Sequence, residues 1–418
     1  MWNTVKSISS LLLSYGLLLL GNGMISILLA LRSRHEGFST GVTGFVMAGY
    51  FVGMLMGALF AVRVVAAVGH IRAFAAFASI MSVAVLAHVL LIDPVVWFLL
   101  RVIAGFCMAG MVMVVESWVN ERATNRTRGR VLSLYMITNY LGAGLGQLMM
   151  LIGDPAQFQL FVIASIIYSF ALVPILLTRA SAPMPSSPQR LPLRDLVAIS
   201  PVGVFGTICA GLANSSLNSM GAVFGREMGL SLAEVSTFMA AAILGGMVLQ
   251  FPIGRLSDRL DRRSILLAAA MATSVSAAAV IWAISQPIGV LILAAAIYGG
   301  FSFTIYALSA SQVNDLADPG RLVQVAAGLL VAYGFGASIG PVLAAQAMAV
   351  IGPSGLFFYI IGINVLLAVF IIIRIMQRRR GEKAKSPFLP MSGFGISSEE
   401  LYTATLDAAD PLVPEDSK

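Results

Sequence analysis

The chain carries very little charge. Of its 418 residues only 11% are Asp, Glu, Lys or Arg, while 58% are hydrophobic; an average soluble domain is roughly 25% charged. So few charges cannot clothe a water-exposed surface of this size, which excludes an ordinary soluble protein and makes lipid the natural solvent. Cysteine is nearly absent, and Cys107 and Cys209 both sit in apolar runs, so neither a disulfide framework nor a thiolate metal site is expected. Three histidines (His35, His70, His88) lack ligand spacing, so no metal is expected. The sequence has no G-x-x-x-x-G-K-[ST] phosphate loop, no His-Glu-x-x-His and no Ser-His or paired-carboxylate constellation at membrane depth. ATP hydrolysis and intramembrane hydrolysis are therefore not expected, nor is any enzyme activity or cofactor. A formal charge of +7 does not point to nucleic acid, because the basic residues lie in short loops between apolar runs, where membrane topology explains them.

Apolar runs are what the chain has in abundance. Stretches near or above ~20 residues, enough to cross a hydrocarbon core, recur at 8–31, 40–62, 71–92, 95–117, 131–152, 158–178, 200–223, 232–253, 264–284, 287–310, 322–349 and 355–375. No small-residue cleavage site follows the first, so it reads as a membrane helix rather than a cleaved signal. Placing the N-terminus inside leaves Arg32, Arg34 and Arg226 outside and Arg101 within a span, with the rest of the 26 lysines and arginines on the inner side. That asymmetry predicts twelve spans with both termini cytoplasmic in an inner (plasma) membrane. Residues 179–199, rich in proline (Pro183, Pro185, Pro188, Pro192), read as an exposed cytoplasmic linker. They separate a first six-helix bundle (1–178) from a second (200–376). Residues 377–418 turn polar and read as a partly disordered cytoplasmic tail, with Arg378–Lys385 as an anchor at the anionic leaflet.

The two halves repeat each other. Gly57 matches Gly254, Gly105-Phe106 matches Gly300-Phe301, and Tyr140-Leu-Gly142-Ala-Gly144-Leu-Gly146-Gln147 is similar to Tyr333-Gly-Phe-Gly336-Ala-Ser-Ile-Gly340-Pro341. Internal repeats of this kind are how many secondary transporters are built, with the solute site between the repeats near the midplane. The loop Gly254-Arg255-Leu256-Ser257-Asp258-Arg259-Leu260-Asp261-Arg262-Arg263 resembles the G-x-x-x-D-R-x-x-R-R signature of the major facilitator superfamily. Its first copy is degenerate, with Ala61 in the Asp position of Gly57-Ala-Leu-Phe-Ala61-Val-Arg63. Leu99-Leu100-Arg101 through Ala109 resembles the family's fourth-span R-x-x-x-G-x-x-x-A motif, and Val115-Glu116-Ser117-Trp118 through Gln147 resembles its YcaD-like branch. The resemblance covers about residues 8–376 and implies an all-α membrane fold of twelve transmembrane helices in two pseudo-symmetric bundles. It also implies a monomeric secondary transporter that works by alternating access.

The resemblance further implies roles for particular residues. Gly254, Asp258, Arg259, Arg262 and Arg263 would gate the inner side, Asp258 meeting the start of the fifth span near Gly129-Arg130, while Glu121 with Arg128 and Arg130, and Asp315 with Arg321, would form inner ion pairs. Arg101 is the candidate proton-coupling residue, its alternative being a snorkelling side chain at the outer interface. Glu116 is either an ion-pair partner of a loop arginine or a titrating coupling site. The solute candidates among the spans expected to line the path are Asn22, Asn139, Tyr140, Gln147, Asn214, Asn218, Tyr298, Tyr306 and Tyr333, each equally able to bond between helices. Amides and tyrosines suit uptake of a small neutral solute with a flat part, such as riboflavin or a sugar. A proton-coupled drug exporter and a transporter-like sensor are the alternatives; Gln147, where many drug antiporters carry proline, weighs against the exporter.

Overall fold

The computed structural model describes residues 2–122, 128–177 and 191–377. The linker prolines before Pro192, the tail from Arg378 and the loop 123–127 lie outside the described residues. Among the described residues fourteen α-helices run in order: α1 (Trp2–His35), α2 (Thr40–Val68), α3 (His70–Leu90), α4 (Pro94–Arg122), α5 (Arg128–Leu148), α6 (Gln159–Leu176), α7 (Leu193–Ile199), α8 (Pro201–Glu227), α9 (Leu232–Arg259), α10 (Arg262–Ala283), α11 (Ile288–Ser302), α12 (Thr304–Asn314), α13 (Leu322–Ile351) and α14 (Gly355–Gln377). Helices α11 and α12 form one span kinked at Phe303, so with the short α7 set aside the protein crosses the membrane twelve times. Large apolar side chains face outward along the spans, among them Val275, Leu293 and Phe170, each more than 60% exposed. In water such a surface would drive aggregation; against lipid it is the proper exterior.

Helices α5 and α8 carry several polar residues within otherwise apolar spans. Both place that polarity inward: Asn139 and Gln147 on α5, and Asn214, Ser215, Ser216 and Ser219 on α8, are all buried. Helices α1–α6 pack on one another, as do α8–α14, and the two sets meet where α2 lies on α13, α5 on α9 and α1 on α8. The end of the linker is not the exposed connector that its proline content suggests. Pro192 starts α7, the Leu191 amide donates to the Gln324 carbonyl, and buried Leu196 sits against Gly328 of α13.

The duplication is visible in backbone detail. Helix α1 ends at Arg34-His-Glu-Gly37-Phe38-Ser39, and α8 ends at Arg226-Glu-Met-Gly229-Leu230-Ser231. In both, the glycine takes a positive φ (80° and 88°) that a side chain would strain. The next amide reaches back five residues, Phe38 to Ser33 and Leu230 to Gly225, closing the helix end. The arginine donates to the carbonyl of Phe38 or Leu230, and the serine caps the following helix. Glycine contacts repeat likewise. A Cβ at Gly53 or Gly105 would collide with the carbonyls of Val102 and Tyr50 between α2 and α4; one at Gly245 or Gly299 would collide with those of Ala296 and Ala242 between α9 and α11. Small residues let helix backbones approach in lipid, where no hydrophobic force draws them together. These contacts correct two sequence matches. The counterpart of Gly105 is Gly299 and not Gly300, and Gly57 lies well inside α2, whereas Gly254 lies near the end of α9.

Candidate functional site

Between the two sets of helices lies a small, partly open cavity. Of the residues expected to contact solute or coupling ion, Asn22 on α1, Arg101 on α4, Gln147 on α5 and Asn218 on α8 line it. Glycines put them there. Gly23 packs onto Gly146 and the Gln147 amide, so α1 and α5 touch and bring Asn22 and Gln147 to one wall; Gly49 packs against the Arg101 Cβ and holds α4 under α2. The Arg101 guanidinium is 2% exposed and stacks over the Tyr50 ring at 4.4 Å. Arg101 does not snorkel to the interface. Among the described residues four buried polar atoms on this wall have no hydrogen-bond partner: Arg101 Nε, Asn22 Oδ1, Gln147 Oε1 and Ser219 Oγ. Buried polar atoms are rarely left unsatisfied, so the wall is ready for a ligand or ordered water.

The other solute candidates are spoken for by neighbouring helices. Asn139 donates to the Tyr15 hydroxyl, and Tyr15 stacks on Tyr135 at 4.5 Å. Tyr140 donates to Gln250 Oε1 at 2.9 Å, tying α5 to α9. The Ser302 hydroxyl donates to Asn214 Oδ1 at 2.9 Å and stands 3.4 Å from the Tyr298 hydroxyl. Tyr306 meets Tyr333 edge-on at 5.0 Å. Glu116 is completely buried and accepts from the Tyr135 hydroxyl, so it belongs to this aromatic layer at the bundle interface.

Charges cluster at the membrane face where α1 begins. Arg262, 2% exposed, donates from Nε to Asp315 at 2.5 Å and from Nη2 to Asp258 at 3.3 Å. Asp315 thus pairs with Arg262, while its expected partner Arg321 stands exposed, as do Glu121, Arg130 and Arg259. No ion pair joins Glu121 to Arg130 among the described residues, because both point to solvent; the Arg128 side chain lies outside them. Arg263 is half-buried and Gly254 fully buried. In the first half the corresponding position is His70, buried at the start of α3, which meets Ser117 of α4 at 3.2 Å. On the opposite face, Arg34 pairs with Glu227 at 3.1 Å across the two halves. Sequence reasoning missed Ser219 and Gln250 as site residues and the Arg34–Glu227 link. The R-x-x-G-x-S repeat at positions 34 and 226 was the available signal for the last.

The model of the Major Facilitator Superfamily matches residues 11–202 and 203–406. The chain belongs to the major facilitator superfamily. Relatives of this superfamily chain include the uncharacterized MFS-type transporter YcaD of Escherichia fergusonii, 26% identical over 87% of this chain and 94% of that one. Another is an uncharacterized MFS-type transporter of Enterobacter sp. (strain 638), 28% identical over 89% of this chain and 96% of that one. The chain has the fold of the nucleoside transporter NupG (TM-score 0.73, 14% identity, 88% and 98% covered). It also shares the fold of a D-xylose–proton symporter (TM-score 0.67, 15% identity, 88% and 97% covered). As a superfamily member it is a multi-pass membrane protein of the transporter class.

Proposed function

We propose that this protein is a proton-coupled secondary transporter of the inner (plasma) membrane, with both termini cytoplasmic, that takes up a small polar solute bound beside Asn22, Gln147 and Asn218. The observation that carries the reading is the cavity between the two halves, walled by buried polar atoms without partners. The bodies that rock are the two six-span sets, joined by 179–199. The lysine and arginine distribution supports the orientation. Fold likeness to NupG and the D-xylose–proton symporter fits a small polar solute, and Gln147 in place of proline favours uptake over drug export.

Alternating access is tested without knowing the solute. Both native cysteines are buried, so a Cys107→Ser, Cys209→Ser background accepts one reporter, Ser26→Cys, in the cavity wall. Impermeant maleimide is expected to label it from either face of oriented vesicles; labelling from one face alone under every condition would sink the reading. Breaking the Arg34–Glu227 pair with Glu227→Gln is expected to raise labelling from that pair's face. The pair is partly exposed (38% and 23%) and worth at most ~1 kcal/mol, so the shift is at most about fivefold.

The coupling group we assign is Glu116, faced by Tyr15, Tyr135 and Tyr306 with His70 beyond Ser117. A buried carboxylate bonded within the first bundle and facing Tyr306 of the second changes its surroundings as the bundles part, which favours a change of protonation. Once a transported solute is in hand, Glu116→Gln is expected to abolish its accumulation driven by a pH gradient while leaving counterflow exchange intact. Counterflow lost together with accumulation would assign Glu116 to solute binding instead.

A further inference from the structure

The cavity holds one charge and it is positive. Arg101 is buried to 2% exposure, and among the described residues no carboxylate forms an ion pair with it. Its contact is the face of Tyr50 at 4.4 Å, and its Nε faces no acceptor. An isolated cation in a membrane interior is costly and persists where it meets a partner or a cavity. A ring face compensates part of that cost; an anion compensates far more, and through paired N–H donors it also gains direction. The rest of the wall has the opposite polarity. Asn22 Oδ1 and Gln147 Oε1 are acceptors without donors, and the Ser219 hydroxyl has no partner among the described residues. Among the described residues no acidic side chain lines the cavity, so an ammonium group would find no counter-charge there.

From this pattern we infer that the solute is a small monocarboxylate bearing at least one hydroxyl or N–H donor, its carboxylate on Arg101 and its donors on Asn22 and Gln147. The inference rests on the cavity being the transport site, and it replaces the neutral solute suggested by composition. Phosphate esters and dicarboxylates carry more charge than one guanidinium can offset. Amino-acid zwitterions leave their ammonium unpaired.

The test uses probes matched in size and shape: lactate against lactamide, and pyrrole-2-carboxylate against pyrrole-2-carboxamide, the amide being neutral with N–H donors in place of one charged oxygen, each at about 50 mM with purified full-length protein, a specific ligand raising apparent stability by mass action. Expected is a rise in melting temperature with at least one carboxylate and none with its amide. Arg101→Gln is expected to weaken that carboxylate at least tenfold, Arg101→Lys to retain part of the effect. Without ligand, Arg101→Gln is expected to melt no lower than the parent, since it removes a buried charge that lacks a counter-ion. Equal shifts from acid and amide, no shift from either acid, an undiminished shift in Arg101→Gln, or a large fall in its ligand-free melting temperature would each overturn the inference. If an amide alone stabilises the protein and Asn22→Leu abolishes the effect, the cavity remains the solute site and only its charge preference is refuted. One-sided labelling of Ser26→Cys would instead remove the transport reading beneath it.

Discussion

Arg262→Ala is expected to cost about 3–5 kcal/mol of stability, the range for removing one partner of a buried ion pair. The guanidinium is 2% exposed and joins the starts and ends of three helices: it donates to Asp315 beyond α12, to Asp258 at the end of α9, and to Ser257 Oγ. Asp315 is itself only 11% exposed, so losing the guanidinium leaves a carboxylate where water reaches it poorly. Asp258, 38% exposed, is solvated either way and adds little. The measurement is thermal unfolding in detergent of Arg262→Ala, of Asp315→Leu, and of the pair Arg262→Met with Asp315→Leu. The double variant should recover most of the loss, since apolar replacement of a whole buried pair is often close to neutral. A double variant no more stable than Arg262→Ala alone would refute the assignment of a buried charge-based clamp to this corner.

Gly299→Val is expected to prevent the protein from being recovered as a monodisperse species. Even the first carbon of a side chain would overlap the Ala242 carbonyl oxygen, which belongs to backbone and cannot rotate away. The helices α9 and α11 would have to separate along their contact, forfeiting the dispersion energy that holds them in lipid. Overpacking of this kind typically costs 1–3 kcal/mol for small additions, and valine adds two more methyls. Gly105→Val is expected to behave alike in the first half. Its clash is with the Tyr50 carbonyl, so a partly tolerated Gly105→Ala should also displace the Tyr50 ring from Arg101 and weaken binding at the cavity. Gly289→Ala and Gly362→Ala meet nothing within 4 Å and serve as controls. Size-exclusion profiles of the four variants check the prediction, and normal profiles for both valine variants would refute it.

How much of the site was legible in the sequence depended on the residue. Asn22 and Asn139 are both amides within apolar spans, and nothing in their neighbourhoods separates them by kind. Asn22 faces the cavity and Asn139 bonds Tyr15, because α1 and α5 cross at Gly23 and Gly146 with a rotation that local sequence does not encode. Arg101 was legible as an anomaly, since an arginine seven residues into an apolar run invites a reason. Tyr50 was legible as a tyrosine of a lining span, but its stacking on Arg101 was not, since the two lie on different helices. Arg262 and Asp315 were each visible in their motifs, but their pairing spans 53 positions, and Arg321 was the nearer choice along the chain.

By itself the sequence determined that this protein lives in lipid, that it crosses twelve times, and that its halves repeat. Those properties follow from summed hydropathy, from the placement of lysine and arginine, and from recurrent glycines, all of which are one-dimensional quantities. Only the tertiary structure decided which polar side chains satisfy one another and which are left facing a common space. That choice depends on how each helix is turned about its axis, and the turn is set by backbone contacts at glycines on partner helices far away in the chain.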